Sequence, residues 1–287
     1  MRFHVSRRQA VAGAIAIAAA PVTKAAAQFT GVAPNFEKDN MGVRAGTGGD
    51  ASALPMGSLS NPSGGRLQTM VIGRKYPRAA WAPELYAQTV LAEFAASDWQ
   101  SIKVDGPNDN EPELREEIGQ LLDLNKLRAE RSAEIMLQLD NPLGYWSDLL
   151  SSSPATAPLT WTLIATAVAV GQLVSMHFKE KFGRPRPAMV YPALMPLAPT
   201  PRHPSYPSSH ALQGHLIHQC LTPLATEPTK AALLALARRV AANREIAGFH
   251  FPSDTAAGER LAGPVYQKLV GGPIFNTVLT AANAEWK

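Results

Sequence analysis

Three short polar clusters in the C-terminal half of this 287-residue chain carry the residue types that chemistry on an oxyanion needs. The first runs Lys179, six residues, Arg186-Pro187. The second is Pro207-Ser208-Ser209-His210. The third runs Arg244, five residues, His250, three residues, Asp254. Together they offer three fixed cations, a hydroxyl at a helix start, and two histidines, one with a carboxylate four residues on. A guanidinium fork suits bidentate contact to phosphate-like oxygens, and an ammonium adds a point charge. A helix beginning at Ser208 or Ser209 would present unpaired N–H groups, which favour an anion, with His210 in its first turn as acid or base. A carboxylate on one nitrogen of His250 would fix the tautomer and leave the other nitrogen nucleophilic. A pocket of these parts suits phosphate or vanadate.

Each cluster also has a purely structural account. Lys179 to Pro187 reads as a basic helix C-terminus with a proline stop. Ser208 or Ser209 reads as an N-cap, and Asp254 as the N-cap of the following helix beside a core His250. Arg184-Pro185-Arg186-Pro187 resembles a proline-rich ligand, although its neighbours set it at a bundle mouth. His215 and His218 are three apart on a helix, but only the lone Cys220 accompanies them. They are read as helix-surface or supporting residues, and no metal site is expected.

The elements that must position these residues are helical. Apolar spacing and prolines predict helices over Pro83 to Ile102, Glu113 to Leu139 and Pro158 to about Phe178, then 209–223, 228–247, 254–270 and 274–285. Glu111, Glu113, Glu116 and Glu117 crowd one helix start, where the dipole favours acids. The run Leu163 to Val174 is apolar nearly all round, which implies a central buried helix. Its threonines, Gln172 and Ser175 argue against a stable membrane span. With no alternating strand and no repeat, the expected fold is all-α: a single multi-helix bundle over 76–287, with its active site at one end.

The N-terminus reads differently. Ser6-Arg7-Arg8-Gln9-Ala10-Val11, an apolar run to Ala20, and Ala25-Ala26-Ala27 form a twin-arginine-like signal peptide over 1–27. Residues 28–75 then form a Gly/Pro-rich extended arm. The signal holds four of the 27 basic residues and no acid, leaving 23 basic against 23 acidic. The net charge of +4 therefore belongs to the address segment, and no nucleic-acid partner is implied. A periplasmic or secreted location follows, yet with Cys220 as the only cysteine no intrachain disulfide can form. Oligomeric state is open, a homo-oligomer included.

Taken in order, the three clusters resemble the signature of the type 2 phosphatidic acid phosphatase superfamily. That group includes bacterial non-specific acid phosphatases, lipid phosphatases and vanadium-dependent haloperoxidases. The resemblance implies that Lys179, Arg186 and Arg244 hold phosphate oxygens, with the Ser208 hydroxyl and the Ser209 N–H. It implies that His250 attacks phosphorus, Asp254 orients it, and His210 protonates the leaving alcohol and then activates water. Two positions depart from the pattern: Ser209 where glycine is usual and Asn243 where serine is usual. A serine keeps its N–H available if its backbone needs no positive φ.

The expected function is an exported, metal-independent phosphatase that hydrolyses small phosphate monoesters, of acid-phosphatase type, through a phosphohistidine and without a cofactor. The runner-up is a haloperoxidase holding vanadate on His250 in the same pocket. A third reading, motivated only by Ser209, is a phosphate-binding protein without turnover.

Overall fold

The computed structural model describes residues 75–287. The expected signal segment, and the expected arm as far as residue 74, lie outside them. Among the described residues the ordered elements are all helical: α1 (Pro83–Ala95), α2 (Glu111–Leu124), α3 (Arg128–Asp140), α4 (Gly144–Leu150), α5 (Pro158–Phe182), α6 (Pro187–Val190), α7 (Ser209–Leu221), α8 (Glu227–Ile246), α9 (Pro252–Val270) and α10 (Pro273–Ala282), with short 3₁₀ turns between. The fold is all-α, as the apolar spacing predicts.

Helix α5 is the long central element. Pro158 opens it, and Glu285 from the C-terminal end accepts the Leu159 and Thr160 N–H groups at 2.9 and 2.8 Å. Gly183, at φ +62°, closes it in the left-handed conformation that glycine adopts without strain. Leu163, Ile164, Ala167, Val170, Val174 and Phe178 are buried against α1, α7 and α10. The stretch Pro158–Val190 is long and apolar enough to cross a membrane by length and composition, and 67% of its most apolar window is buried inside the protein. Helix α7 is the hub, packed by α5, α8 and α9, with Leu212, Leu216, Ile217 and Cys220 in the shared core.

Two long expected helices are broken. The first ends at Ala95, because the Ser97 amide and hydroxyl both bond back to the Phe94 carbonyl; a 3₁₀ turn, Trp99–Ser101, follows. The second divides at the 3₁₀ turn Asn125–Leu127. The break frees Arg128 to donate to the Ile246, Leu194 and Met195 carbonyls, which ties α3 to the end of α8 and to the loop after α6. Periodic apolar residues run through the turn, so the pattern carries no sign of it. Elsewhere the bounds move by a few residues, and α5 continues one turn further, to Phe182.

Candidate active site

Helix α5 delivers Lys179 at its C-terminal end, fully buried. Its Nζ donates to the carbonyls of Pro204, Ser205 and Pro207 at 2.9, 2.8 and 2.7 Å. Three acceptors require three N–H groups, so the side chain is an ammonium, although burial and then Arg186 push its pKa well below the ordinary lysine value. Lys179 thus supports the 204–207 loop from beneath. Direct contact with an anion would require it to exchange one of these bonds.

After Gly183 the chain is extended to Arg186, and residues two apart in an extended chain point to the same side. Arg184 and Arg186 accordingly both turn inward. Arg186 donates from Nε to the His203 carbonyl at 3.0 Å and from Nη1 to the Phe249 carbonyl at 2.8 Å. Nη1 also lies 3.1 Å from His250 Nε2, and Nη2 lies 3.1 Å from His203 Nδ1. Burial lowers its pKa to about 10, which leaves it charged at neutral pH.

Ser208 is the N-cap of α7, its Oγ accepting the Ala211 N–H at 3.4 Å, while its own N–H donates to the Asp254 carbonyl at 2.9 Å. Ser209 is absent from the positive-φ residues, so the substitution for glycine carries no backbone strain. Its hydroxyl turns away from the helix start to donate to Ser175 Oγ on α5 at 2.8 Å. This seam between α7 and α9 depends on Gly258, where a Cβ would stand 2.5 Å from the Ser208 carbonyl oxygen.

The last turn of α8 carries Arg244, fully buried. Its Nη2 donates to Gln138 Oε1 at 2.8 Å, but its Nε and Nη1 have no partner. Buried unpaired donors on a cation are costly, and an anion is what would satisfy them. Burial lowers the Arg244 pKa to about 10. Asn243, where the resemblance expects serine, bonds to Glu134 and Gln138 on α3.

Gly248, at φ +77°, turns the chain so that Phe249 to Phe251 return across the site. His250 Nδ1 lies 3.1 Å from Asp254 Oδ2. Arginine can only donate, so Nε2 must accept from Arg186, and the proton sits on Nδ1, facing Asp254. Asp254 is not the N-cap expected from the sequence. It occupies the third position of α9 and reaches back to accept the Phe251 N–H at 3.0 Å, while Arg184 Nη1 donates to its Oδ1 at 2.6 Å. Burial pushes the carboxyl pKa up, with Arg184 acting in the opposite direction.

Both site histidines are held well below the ordinary histidine value: His210 by burial, then Arg244, His250, Arg186 and Lys179; His250 by burial, then Arg186 and Lys179. His203 is lowered to about 4, by burial first and then by Lys179 and Arg186. The eight residues picked from sequence thus meet around one buried, cation-rich centre. Such a centre can bind a tetrahedral dianion, offer a nitrogen lone pair to its central atom, and supply a second imidazole for proton transfer.

Sequence reasoning missed Arg184, Glu117, Asp109 and Gln138. The two-residue spacing of Arg184 and Arg186 was the available signal for the first. Glu117 was grouped with dipole-favoured acids, but it lies past the first turn of α2 and bonds to Arg184 Nη2 at 2.7 Å. His215 is buried rather than on the surface, 2.8 Å from the Ala211 carbonyl, and His218 contacts Thr222. Among the described residues, no group of three or more His, Cys, Asp or Glu is arranged to hold a metal ion.

Residues 160–265 match the family model of the PAP2 superfamily. No curated protein matches the chain.

Proposed function

The chain belongs, through residues 160–265, to the PAP2 superfamily, which includes phosphatases and haloperoxidases, and from that premise we propose that it is an exported phosphatase acting on small phosphate monoesters. The observation that carries the reading is the pair of unpartnered, buried Arg244 N–H groups in the same cluster as the His250 Nε2 lone pair. One calls for an anion, and the other is a nucleophile for its central atom.

In the proposed cycle the phosphoryl oxygens take up Arg244 Nε and Nη1, the Ser209 N–H and the Ser208 hydroxyl. Arg186 Nη1 transfers its bond from His250 Nε2 to a phosphoryl oxygen, which uncovers the lone pair. Nε2 attacks phosphorus as the ester P–O bond breaks, and His210, brought to its protonated form once the bound dianion offsets the surrounding cations, gives its proton to the departing oxygen. His250 becomes cationic while its Nδ1–H stays on Asp254, whose charge stabilises the phosphohistidine. His210 then takes a proton from water, the hydroxide attacks phosphorus, and the P–N bond breaks to release phosphate. Three cations and a helix N-terminus balance the charge on the equatorial oxygens, which is the role a metal ion plays in other phosphatases, and no cofactor takes part.

The test is turnover of the purified protein on a chromogenic aryl phosphate from pH 4 to 9. Hydrolysis that orthovanadate abolishes, EDTA leaves intact and His250→Ala removes is the expected result. Turnover surviving in His250→Ala would sink the phosphohistidine. Absence of hydrolysis, together with peroxide- and vanadate-dependent bromide oxidation, would replace the phosphatase with a haloperoxidase.

A further inference from the structure

Behind the His250–Asp254 pair lies a buried charge cluster that the cycle above does not use. The Arg184 side chain has no exposed surface. Its Nε donates to Asp109 Oδ1 at 2.8 Å, its Nη2 to Glu117 Oε2 at 2.7 Å, and its Nη1 to Asp254 Oδ1 at 2.6 Å and Ser253 Oγ at 2.7 Å. The guanidinium stacks on the Phe251 ring, 4.0 Å from its centroid. Glu117 uses its other oxygen to accept the Ser253 N–H at 2.7 Å, which clamps the first turn of α9 to α2. Asp109 and Glu117 lie outside the family-matched residues 160–265.

We propose that Arg184, anchored by Glu117 and Asp109, is a positioning residue that fixes the Asp254 carboxylate against His250. Two arginines on one side of an extended segment grip the two ends of one hydrogen-bonded pair: Arg186 at His250 Nε2, Arg184 at Asp254 Oδ1. The surrounding charges are sorted to match. Asp109, Glu117 and the half-buried Glu245 lie on the carboxylate side, while Arg186, Lys179, Arg244, His203 and His210 crowd the imidazole. Tyr206 and Arg260 border the cluster.

Without the Arg184 fork, Asp254 Oδ1 loses its charged donor, and the Phe251 N–H, the His250 Nδ1–H and the Lys179 charge are left to offset the carboxylate's burial. A protonated Asp254 would donate to His250 Nδ1, move the imidazole proton to Nε2 and remove the lone pair. An Asp254 that stayed ionised but less compensated would instead favour the imidazolium. Both routes take the nucleophile away as pH falls, so both move the acid limb of activity to higher pH.

The kinetic arm rests on the phosphatase reading; a spectroscopic arm stands apart from it. In the full chain, Arg184→Lys keeps the charge but loses the fork, and Glu117→Gln loosens the anchor. For each, kcat and KM are measured from pH 4 to 9, and the His250 tautomer is followed by ¹⁵N NMR of the histidine side chains. The expected result is kcat lower by about tenfold or more, against an upper bound of about 10⁴ for loss of an orienting carboxylate. KM should change by less than about threefold, the acid limb should rise by about one pH unit, and the Nδ1–H tautomer should be depleted. Folded variants with native kcat, pH profile and tautomer would reduce Arg184 to a structural staple and overturn the proposal, whatever their melting temperatures. If the native protein proves not to hydrolyse phosphate esters, the phosphatase reading falls and the NMR arm decides alone, an unchanged His250 tautomer and titration in Arg184→Lys refuting the positioning role.

Discussion

Replacing Gly258 with alanine would drive a methyl group into the seam that aligns the two halves of the candidate site. Gly258 lies one turn beyond Asp254 on α9, and the added Cβ would stand 2.5 Å from the Ser208 carbonyl oxygen, 2.9 Å from Ala211 Cβ and 3.0 Å from Leu212 N. Two of these three are backbone atoms and cannot swing aside. Ordinary contact begins near 3.4 Å, so the helices must part by about 0.9 Å, which would strain the Ser208 N–H bond to the Asp254 carbonyl. Overpacking of this kind costs about 1–3 kcal/mol, offset by about 1 kcal/mol of helix propensity gained over glycine. The catalytic effect should be larger than the effect on stability. A displacement near 1 Å between the α7 N–H groups and the His250–Asp254 pair predicts a fall of about 10²-fold in kcat. Gly263→Ala, on the same helix with nothing within 4 Å of its Cβ, is the control for propensity alone. The assay is kcat on an aryl phosphate beside thermal melts of both variants. A Gly258→Ala enzyme with kcat within twofold of native, and a melting temperature no lower than that of the control, would refute the seam argument.

Gln138→Leu removes the acceptor that holds Arg244 Nη2 and Asn243 Nδ2; it should cost about 1–3 kcal/mol in a thermal melt and weaken orthovanadate inhibition about tenfold. Undiminished vanadate affinity would separate Arg244 from the anion. The folded pKa values of His203, His210 and His250 lie below the unfolded value of 6.5, so the unfolded chain binds more protons beneath that pH. Stability present above pH 6.5 should therefore be lost as pH falls through it toward the folded values. Melting temperature should drop from pH 7 to 5, less so with saturating phosphate, and a flat profile would contradict the histidine environments described.

The helices around the site were legible because α5, α8, α9 and α10 each begin with proline in the first turn and carry unambiguous apolar residues. The clusters were legible because oxyanion chemistry restricts residue type and spacing within one short region. What could not be read was pairing across distance. Nothing local in Glu117 distinguishes it from Glu113, although one is held by Arg184 and the other contacts Asn108 near the helix start. Gln138 gives no sign of meeting Arg244 from more than a hundred residues away. Lys179 was identified as a site cation from its spacing, but its attachment to three carbonyls depends on how the 204–207 loop folds back, which spacing does not encode.

That attachment makes the loop a monovalent-cation cage whose occupant is covalently tethered. Three carbonyl dipoles solvate the ammonium much as they would a dehydrated potassium ion, so the positive charge under the site is a fixture of the loop's shape. Such a charge acts as a field rather than a grip. In the proposed cycle it would stabilise tetrahedral and trigonal-bipyramidal phosphorus alike, without regard to the group being expelled. Opening the loop would expose the ion and dissolve the field together. Shape and voltage in this corner of the protein are therefore one variable, and a small amine or ammonium salt offered to Lys179→Gly would test how much of that variable belongs to the charge alone.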